Sequence, residues 1–353
     1  MNLKINKRSR CIVSILLIVV TIALIFCPAS IVSAAGVPKI KISIPEVLKS
    51  QLPDQAIQSM AFVEGADKMP TEIYLTMKAT STTYVIKCDV QSSSTSDYSY
   101  VATAKSYIKC PLFGHGESLE IVKENGNTYL WLGSGADTTS SYNWSTKISC
   151  IKYNEPSSIG AGTFDMVYTF TVDKSGGVAQ VPNSEATISN PDRVYGRVSF
   201  AFSTASICIR EGNETESKYI YFNNISGGLT NDKIKNALLG TTNKTISTVA
   251  KSVDCTLSAG VYSYQSHDIY NGTLYVAGGR ANGVASIKRL GASTGAVSKT
   301  AISISNNIDG RNLEMEGIWV NSSYIFYLLN PELDPSEGIS LTNSYIYWIP
   351  MPS

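Results

Sequence analysis

The chain has 353 residues, of which 43% are hydrophobic and only 16% charged, and its formal net charge at pH 7 is +1. A chain of this length can bury a large core without support from disulfides or metals. Because there is no excess of positive charge and no basic block, the composition argues against nucleic acid as a partner. It also gives no electrostatic reason to bind anionic lipid.

The first 34 residues have the three-part organisation of a secretory signal peptide. An apolar run from residue 11 to residue 26 and an A-x-A-like site ending at Ala34 follow the basic residues Lys4, Lys7, Arg8 and Arg10. The alternative is an uncleaved membrane anchor, but a membrane span usually needs roughly 20 apolar residues and this run is shorter. We predict cleavage after Ala34 and secretion of residues 35–353, a single domain with no stable transmembrane segment. Cleavage leaves 25 of the 29 basic residues against 28 acidic ones, a net charge of about −3.

Five cysteines follow the predicted cleavage site: Cys88, Cys110, Cys150, Cys208 and Cys255. Five is an odd number, so at least one thiol stays unpaired within a monomer. Their spacing matches no zinc motif. The plausible disulfide pairs are Cys88 with Cys110 and Cys208 with Cys255.

The mature sequence is rich in Tyr, Thr, Ser, Val and Ile, in short alternating runs separated by Gly, Asn, Ser and Asp. This pattern is typical of β-strands and turns. One segment differs, because residues 231–240 predict a short helix that Asn231 or Asp232 begins and Gly240 ends. The sequence therefore predicts an all-β fold with one short helical insertion.

The strands recur in five units of roughly 50–80 residues, and such repetition is typical of propellers. Each unit opens with a polar residue that leads an apolar strand, and a strand with a central aromatic residue follows. The leading residues are Gln58, Glu117, Arg197, Gln265 and Glu316. The last unit lacks a fourth strand, which residues 39–44 at the mature N-terminus would supply. We predict a five-bladed β-propeller closed by that strand. A pair of β-sandwiches would explain the strands but not the repeat.

Three segments of the N-terminal third carry a resemblance to a known family: Gln58–Val63, Phe113–Ile121 and Tyr129–Leu132. They resemble the helveticin J-type class III bacteriocins, and also related propellers of phage receptor-binding and teichoic-acid-associated proteins. The third unit departs most from the family pattern. The resemblance implies a secreted antibacterial protein whose partner is a wall glycopolymer or surface receptor of related Gram-positive bacteria. It also leaves room for an immunity protein as a second partner.

Inner strands line the channel of a propeller, so the leading residues and both histidines are expected to face the axis. The candidate ligand site comprises Gln58, His115, Glu117, Arg197, Gln265, His267 and Glu316. Such residues can form a polar plug, hold a ligand or an ion, or act as acid–base pairs. The polar plug, whose side chains would satisfy backbone groups at the channel mouth, is the favoured interpretation, and acid–base catalysis is the least favoured. It contains no G-x-S-x-G or H-E-x-x-H motif, so we assign no catalytic residue and no cofactor.

Two local features complete the sequence interpretation. The glycines of Gly114-His115-Gly116 predict a tight turn with left-handed backbone before a strand. The aromatic and polar loops at residues 93–100 and 137–144 suit carbohydrate recognition.

Three functions stay open: a bacteriocin that recognises a wall glycopolymer, a non-lethal surface adhesin, and an extracellular hydrolase or lyase that uses His115, Glu117, His267 and Glu316.

Overall fold

The computed structural model describes residues 31–33, 37–53, 55–173, 175–188, 197–212, 216–250, 264–279, 284–305, 307–308, 311–331 and 344–352. Most of the predicted signal peptide, its cleavage site at Ala34 and Cys255 lie outside these residues. Secretion and the Cys208–Cys255 pair therefore stay predictions.

The described chain is built almost entirely of strands. In chain order the first are β1 (Ile31–Ser33), β2 (Lys39–Ser43), β3 (Ile57–Glu64), β4 (Pro70–Ala79), β5 (Thr82–Ser92), β6 (Tyr100–Cys110), β7 (Leu119–Glu124), β8 (Asn127–Ala136), β9 (Ser145–Asn154), β10 (Gly160–Ala161), β11 (Thr163–Val172) and β12 (Val178–Val181). The others are β13 (Arg197–Ser203), β14 (Ser206–Gly212), β15 (Glu216–Phe222), β16 (Lys244–Ala250), β17 (Tyr264–Tyr270), β18 (Thr273–Gly278), β19 (Val284–Gly291), β20 (Val297–Ser305), β21 (Asn307–Ile308), β22 (Arg311–Val320), β23 (Tyr324–Pro331) and β24 (Tyr345–Pro350). The helical elements are α1 (Glu46–Lys49), α2 (Asn231–Leu239) and a 3-10 turn at Asn183–Thr187.

The strands form five antiparallel blades. Blade 1 contains β3 to β6, blade 2 β7, β8, β9 and β11 with β12 outside, blade 3 β13 to β16, blade 4 β17 to β20, and blade 5 β22, β23, β24 and β2. The inner strand of each blade contacts the inner strands of its two neighbours, and β22 contacts β3. This contact closes the ring, so the five-bladed β-propeller is confirmed and the sandwich pair is wrong. The irregular third unit forms a regular four-stranded blade.

The N-terminal strand closes the ring as predicted. β2 pairs antiparallel with β24 and supplies the fourth strand of blade 5. The isoleucines of this Lys-Ile-Lys-Ile-Ser strand, Ile40 and Ile42, are fully buried, because alternate residues face the core. β2 also pairs in parallel with β6, which joins blades 5 and 1 into one sheet. On the other side of the ring, β1 pairs in parallel with β20, and cleavage after Ala34 would remove it.

Five hydrophobic clusters hold the ring together, one at each interface between neighbouring blades. Each blade buries both faces, so its strands carry apolar residues on both sides rather than a polar outer face. In the cluster between blades 2 and 3, the fully buried Trp131 stacks on Phe170 with ring centroids 5.9 Å apart. The inner strands are thereby fixed relative to one another, which positions everything at the channel.

Helix α2 packs on the same interface through the buried Ile234 and Leu238. It spans the predicted segment and ends before Gly240, but its N-cap is Thr230, whose hydroxyl accepts a hydrogen bond of 3.3 Å from the Lys233 amide. The predicted caps Asn231 and Asp232 were therefore one and two positions late. Asn231 has a different role, because its side-chain oxygen accepts a 2.9 Å hydrogen bond from the Trp131 indole.

The predicted Cys88–Cys110 disulfide is wrong, since both thiols are free and buried. Cys88 belongs to the cluster between blades 5 and 1, whereas Cys110 belongs to the cluster between blades 1 and 2. The two side chains thus leave blade 1 from opposite faces. A disulfide cannot bridge side chains that point apart.

Candidate functional site

Three of the predicted leading residues are the extra residues of β-bulges. The register of β3 against β4 skips Gln58, that of β17 against β18 skips Gln265, and that of β22 against β23 skips Glu316. Glu117 lies two residues before β7, and Arg197 begins β13. A bulge bends its strand and re-aims a side chain. All five residues therefore occupy matching places on the inner strands, at one end of the ring, which we call the channel mouth.

An ion pair links blades 2 and 3 at the channel mouth. Nε of Arg197 contacts Oε1 of Glu117, whose side chain is only 2% exposed. Nη2 of Arg197 also donates a 3.4 Å hydrogen bond to the Gln265 backbone carbonyl of blade 4. Burial raises the pKa of Glu117, and the Arg197 guanidinium acts in the opposite direction. One arginine therefore ties three successive blades together.

Arg197 also lies inside a stack of aromatic rings and guanidinium groups. Its Cζ is 4.2 Å from the Trp144 ring centre and 4.7 Å from that of Tyr264. The rings of Tyr142 and Trp144 stack at 4.9 Å and 14°. At the inner end, Cζ of Arg210 lies 3.7 Å over Tyr264. We call Tyr142, Trp144, Arg197, Tyr264 and Arg210 the mouth stack, and its members come from blades 2, 3 and 4.

The mouth stack runs from solvent into the protein. Tyr142 is 57% exposed, whereas Tyr264 and Arg210 are buried. Trp144 is half-buried, with the Tyr142 ring, the Arg197 guanidinium and the His115 ring packed around its indole. Tyr142 is thus the most exposed member of the mouth stack, and its outer face is the one turned away from Trp144.

The loop that carries Tyr142 and Trp144 is the predicted loop 137–144, between β8 and β9. Nδ1 of His115 lies 2.8 Å from the Tyr142 carbonyl oxygen, and the His115 ring is 4.5 Å from the Trp144 ring. From blade 1, Nζ of Lys78 donates a 3.4 Å hydrogen bond to the Ser141 carbonyl. The loop is thus held over the channel mouth from two blades. The other predicted loop, 93–100, lies beside β2, where Lys41 is over Tyr98.

His115 is placed by the turn that the glycines predict. Gly114 and Gly116 have φ values of 107° and 87°, so the left-handed turn is confirmed. A Cβ on Gly114 would lie 2.6 Å from Oγ of Ser145, and the hydroxyl of Thr83 donates a 3.0 Å hydrogen bond to the Gly114 carbonyl. The turn is therefore closed tightly around its backbone. Burial, followed by the charge on Arg197, lowers the pKa of the half-buried His115 to about 3.

Blade 5 contributes two acidic side chains at the channel mouth. The side-chain amide of Gln265 donates a 2.6 Å hydrogen bond to Glu314. Glu316 is buried, and this burial raises its pKa well above the ordinary glutamate value, with a further contribution from the charge on Glu314. Arg197 and Glu117 are both near enough to influence Glu316. Burial and the neighbouring negative charges thus favour the protonated form of Glu316 more than in an exposed glutamate.

The structure separates His267 from these residues. Nδ1 of His267 is 2.6 Å from the Tyr264 hydroxyl, and Nε2 is 3.4 Å from the Cys208 carbonyl of blade 3. The expectation that His267 faces the channel is thus wrong. Side chains of an inner strand alternate between the two blade interfaces, and position 267 faces blade 3. Gln58 contacts the residue that precedes its own strand, since its amide donates a 3.4 Å hydrogen bond to the Ala56 carbonyl.

Sequence reasoning missed two carboxylates three residues further along the inner strands. Glu120 accepts a 2.8 Å hydrogen bond from the Phe202 amide of blade 3, and Asp268 accepts one from the Val320 amide of blade 5. Inner strands have one unpaired edge, and these carboxylates bind its N–H groups. Both are buried, and the Asp268 charge helps to raise the pKa of Glu120.

Three further residues of the channel mouth were also missed: Tyr264, Arg210 and Lys78. Tyr264 directly precedes a predicted leading residue, and Arg210 with its neighbour Glu211 places charge in the otherwise apolar strand β14. A charge within an apolar strand signals a buried partner. Lys78 carries no comparable signal, because only the ring arrangement brings β4 beside loop 137–144.

Binding of an ion was one of the functions that the sequence left open for the candidate ligand site. Within the described residues, no group of three or more His, Cys, Asp or Glu side chains could hold a metal ion. In the same part of the chain, no helix has the length and apolar character needed to cross a membrane.

No family model and no curated protein matches the sequence. Among solved structures, the tail fiber of Staphylococcus aureus phage P68 is similar, with 12% identity over 84% of this chain and 50% of that one, at a TM-score of 0.47. This chain thus spans about half the length of the tail fiber. The exo-1,5-alpha-L-arabinanase from a bovine ruminal metagenomic library has 10% identity over 85% and 94% of the two chains, at a TM-score of 0.39. The GH43 endo-arabinanase from Bacillus licheniformis has 12% identity over 85% and 96%, at 0.34. At these values the likenesses assign no function, so the site is interpreted from its own contacts.

Proposed function

We propose that the protein binds a carbohydrate of the bacterial cell envelope at the channel mouth, with Tyr142 as the stacking surface. The observation that carries this proposal is the outer face of Tyr142, which is exposed while Trp144 and Arg197 support the ring from behind. An exposed aromatic ring on a soluble protein has a hydrophobic face that a sugar ring can cover.

The support behind Tyr142 favours binding because it fixes the ring before a ligand arrives. Ordering a mobile side chain on binding costs about 0.5–1.5 kcal/mol, and a ring that is already held avoids most of that cost. Ser140, Ser141 and Asn143 flank Tyr142 in the same loop and offer hydroxyl and amide groups for sugar hydroxyls. The loop thus combines one apolar face with several polar groups.

The wider biological role follows from the family resemblance rather than from the site. We propose that the protein is secreted and antibacterial, and that the channel mouth recognises a wall glycopolymer of related Gram-positive bacteria. A surface adhesin would use the same contact without killing the cell. Growth inhibition of related strains by the purified mature protein distinguishes these two roles.

Binding is tested by co-sedimentation of the full mature chain with isolated Gram-positive cell walls. Tyr142→Ala removes the exposed face, and we expect roughly 5- to 150-fold weaker binding, since an aromatic contact contributes about 1–3 kcal/mol. Tyr98→Ala is the matched control, because it truncates a half-buried tyrosine of the other candidate loop. Undiminished wall binding by the Tyr142 variant would reject the proposal, and a loss confined to the Tyr98 variant would move the site to loop 93–100.

One observation favours hydrolysis as a second candidate function. Burial raises the pKa of Glu316 and the charge on Glu117 adds to that rise, so two interacting acidic side chains lie at the channel mouth, and a pair of carboxyl groups is what glycoside hydrolysis uses. In this hypothesis Glu316 protonates the leaving oxygen, and His267 has no part because it lies between blades 3 and 4. Release of reducing ends from purified wall glycans, abolished by Glu316→Gln, would establish the enzyme. No release from those glycans would leave binding as the activity.

A further inference from the structure

The hydrogen bond between His115 and Tyr142 determines which ring nitrogen carries the proton. The partner of Nδ1 is a backbone carbonyl oxygen 2.8 Å away, and a carbonyl can only accept. Nδ1 therefore carries the hydrogen. In a neutral imidazole the other nitrogen, Nε2, then has a free lone pair and is an acceptor.

The surroundings of His115 keep the imidazole neutral. Arg197 and Lys78 are the charged groups that act on it, from blades 3 and 1, and both disfavour a second positive charge. Trp144 and Tyr142 cover the ring from blade 2. Among the described residues, none donates a hydrogen bond to Nε2, and the side chain is only half-buried. An acceptor without a protein partner thus lies beside the surface assigned to the ligand.

The other polar side chains of the channel mouth are less suited to accept from a ligand. Arg197 and Lys78 can only donate hydrogen bonds, the Glu117 and Glu314 carboxylates contact Arg197 and Gln265, and Glu316 is buried. We propose that Nε2 of His115 accepts a hydrogen bond from a free hydroxyl of the sugar that lies on Tyr142. This inference rests on the proposed carbohydrate binding. It adds a specificity: a sugar whose hydroxyl at that place is acylated or methylated lacks the donor and binds more weakly.

Two substitutions separate the two nitrogens of His115. In His115→Asn the side-chain amide takes the place of Nδ1–H and can still donate to the Tyr142 carbonyl, but nothing occupies the position of Nε2. His115→Gln is longer, so its carbonyl oxygen reaches the position of Nε2 while the contact with Tyr142 is lost. If the acceptor matters, the Asn variant binds more weakly than the Gln variant.

The probe is the soluble fraction that muramidase releases from purified Gram-positive walls, titrated against the full mature chain. We expect His115→Asn to bind about tenfold more weakly than wild type, the effect of losing one hydrogen bond, and His115→Gln to stay within about threefold. The ratio of wild-type to His115→Asn affinity should stay constant between pH 5 and 7.5, because the imidazole does not titrate there. Near-ultraviolet circular dichroism reports whether the mouth stack is intact in each variant.

Each outcome bears on either the inference or the proposed function. If His115→Asn binds as tightly as His115→Gln or wild type, the acceptor role is overturned, and carbohydrate binding stands as long as Tyr142→Ala still weakens it. A ratio that changes with a midpoint near pH 6.5 also overturns the inference, since the imidazole would then be charged in that range. If wild type and Tyr142→Ala bind the fragments equally, the proposed function itself fails.

Discussion

Replacing Asp268 with asparagine is expected to remove much of the dependence of stability on pH. Asp268 is buried on an inner strand, and burial raises its pKa from the ordinary 3.8 to about 8. The hydrogen bonds from the Ile269 and Val320 amides oppose this shift without cancelling it. The folded protein therefore holds a proton that the unfolded chain has already released above about pH 4.

The sign of the effect follows from proton linkage. A group whose pKa is higher in the folded state stabilises the fold fully below its unfolded pKa, and this contribution is lost as pH rises towards the folded pKa. For Asp268 the window runs from about pH 4 to about pH 8. Each pH unit within it costs at most 1.36 kcal/mol, so the free energy of unfolding should fall by about 4 kcal/mol between pH 5 and pH 8.

Urea denaturation followed by circular dichroism measures this difference. From pH 5 to pH 8 wild type should lose about 4 kcal/mol more than Asp268→Asn, because an amide does not ionise and the contribution of Asp268 is then absent. Asp97→Asn, at an exposed position, is the control and should behave as wild type. Equal pH dependence in wild type and Asp268→Asn would refute the reasoning, since Asp268 would then ionise in the ring without cost. Glu120→Gln should also reduce the pH dependence, because the two carboxylates interact.

Three further substitutions test the fold through the free energy of unfolding. Gly116→Ala should cost about 1–3 kcal/mol, since φ is 87° and its Cβ would lie 3.2 Å from Thr76, whereas Gly160→Ala, with open space, should change less than about 0.5 kcal/mol. Ile42→Ala in the closing strand should cost about 2–5 kcal/mol, because it leaves a cavity in the core. Asn231→Ala should cost about 1–3 kcal/mol and change tryptophan fluorescence, because it leaves the buried Trp131 indole N–H without its acceptor. Full stability in any of the three altered sites would contradict the packing described for it.

The sequence alone determined the architecture of the protein. Alternation of apolar and polar residues with a period of two predicts a strand, independently of which strand it pairs with. Five repeats of such strands predict a ring of five blades. The last unit lacked a fourth strand, and residues 39–44 formed a strand without a blade of its own. Pairing the two was predicted because an open sheet edge is unfavourable. The leading residues Gln58, Gln265 and Glu316 were identified by position, and the structure adds that each forms a bulge.

Only the tertiary structure decided which side chains meet. His267 lies two residues after the leading residue Gln265, yet it faces blade 3. Cys88 and Cys110 leave the same blade on opposite faces. The mouth stack brings together Tyr142, Arg197 and Tyr264, which are far apart in the chain, and no local sequence pattern connects them. Contacts of this kind depend on how far each blade is rotated and shifted against the next. That geometry depends on the simultaneous packing of the five hydrophobic clusters between blades. The alternation of residues along one strand therefore does not predict it.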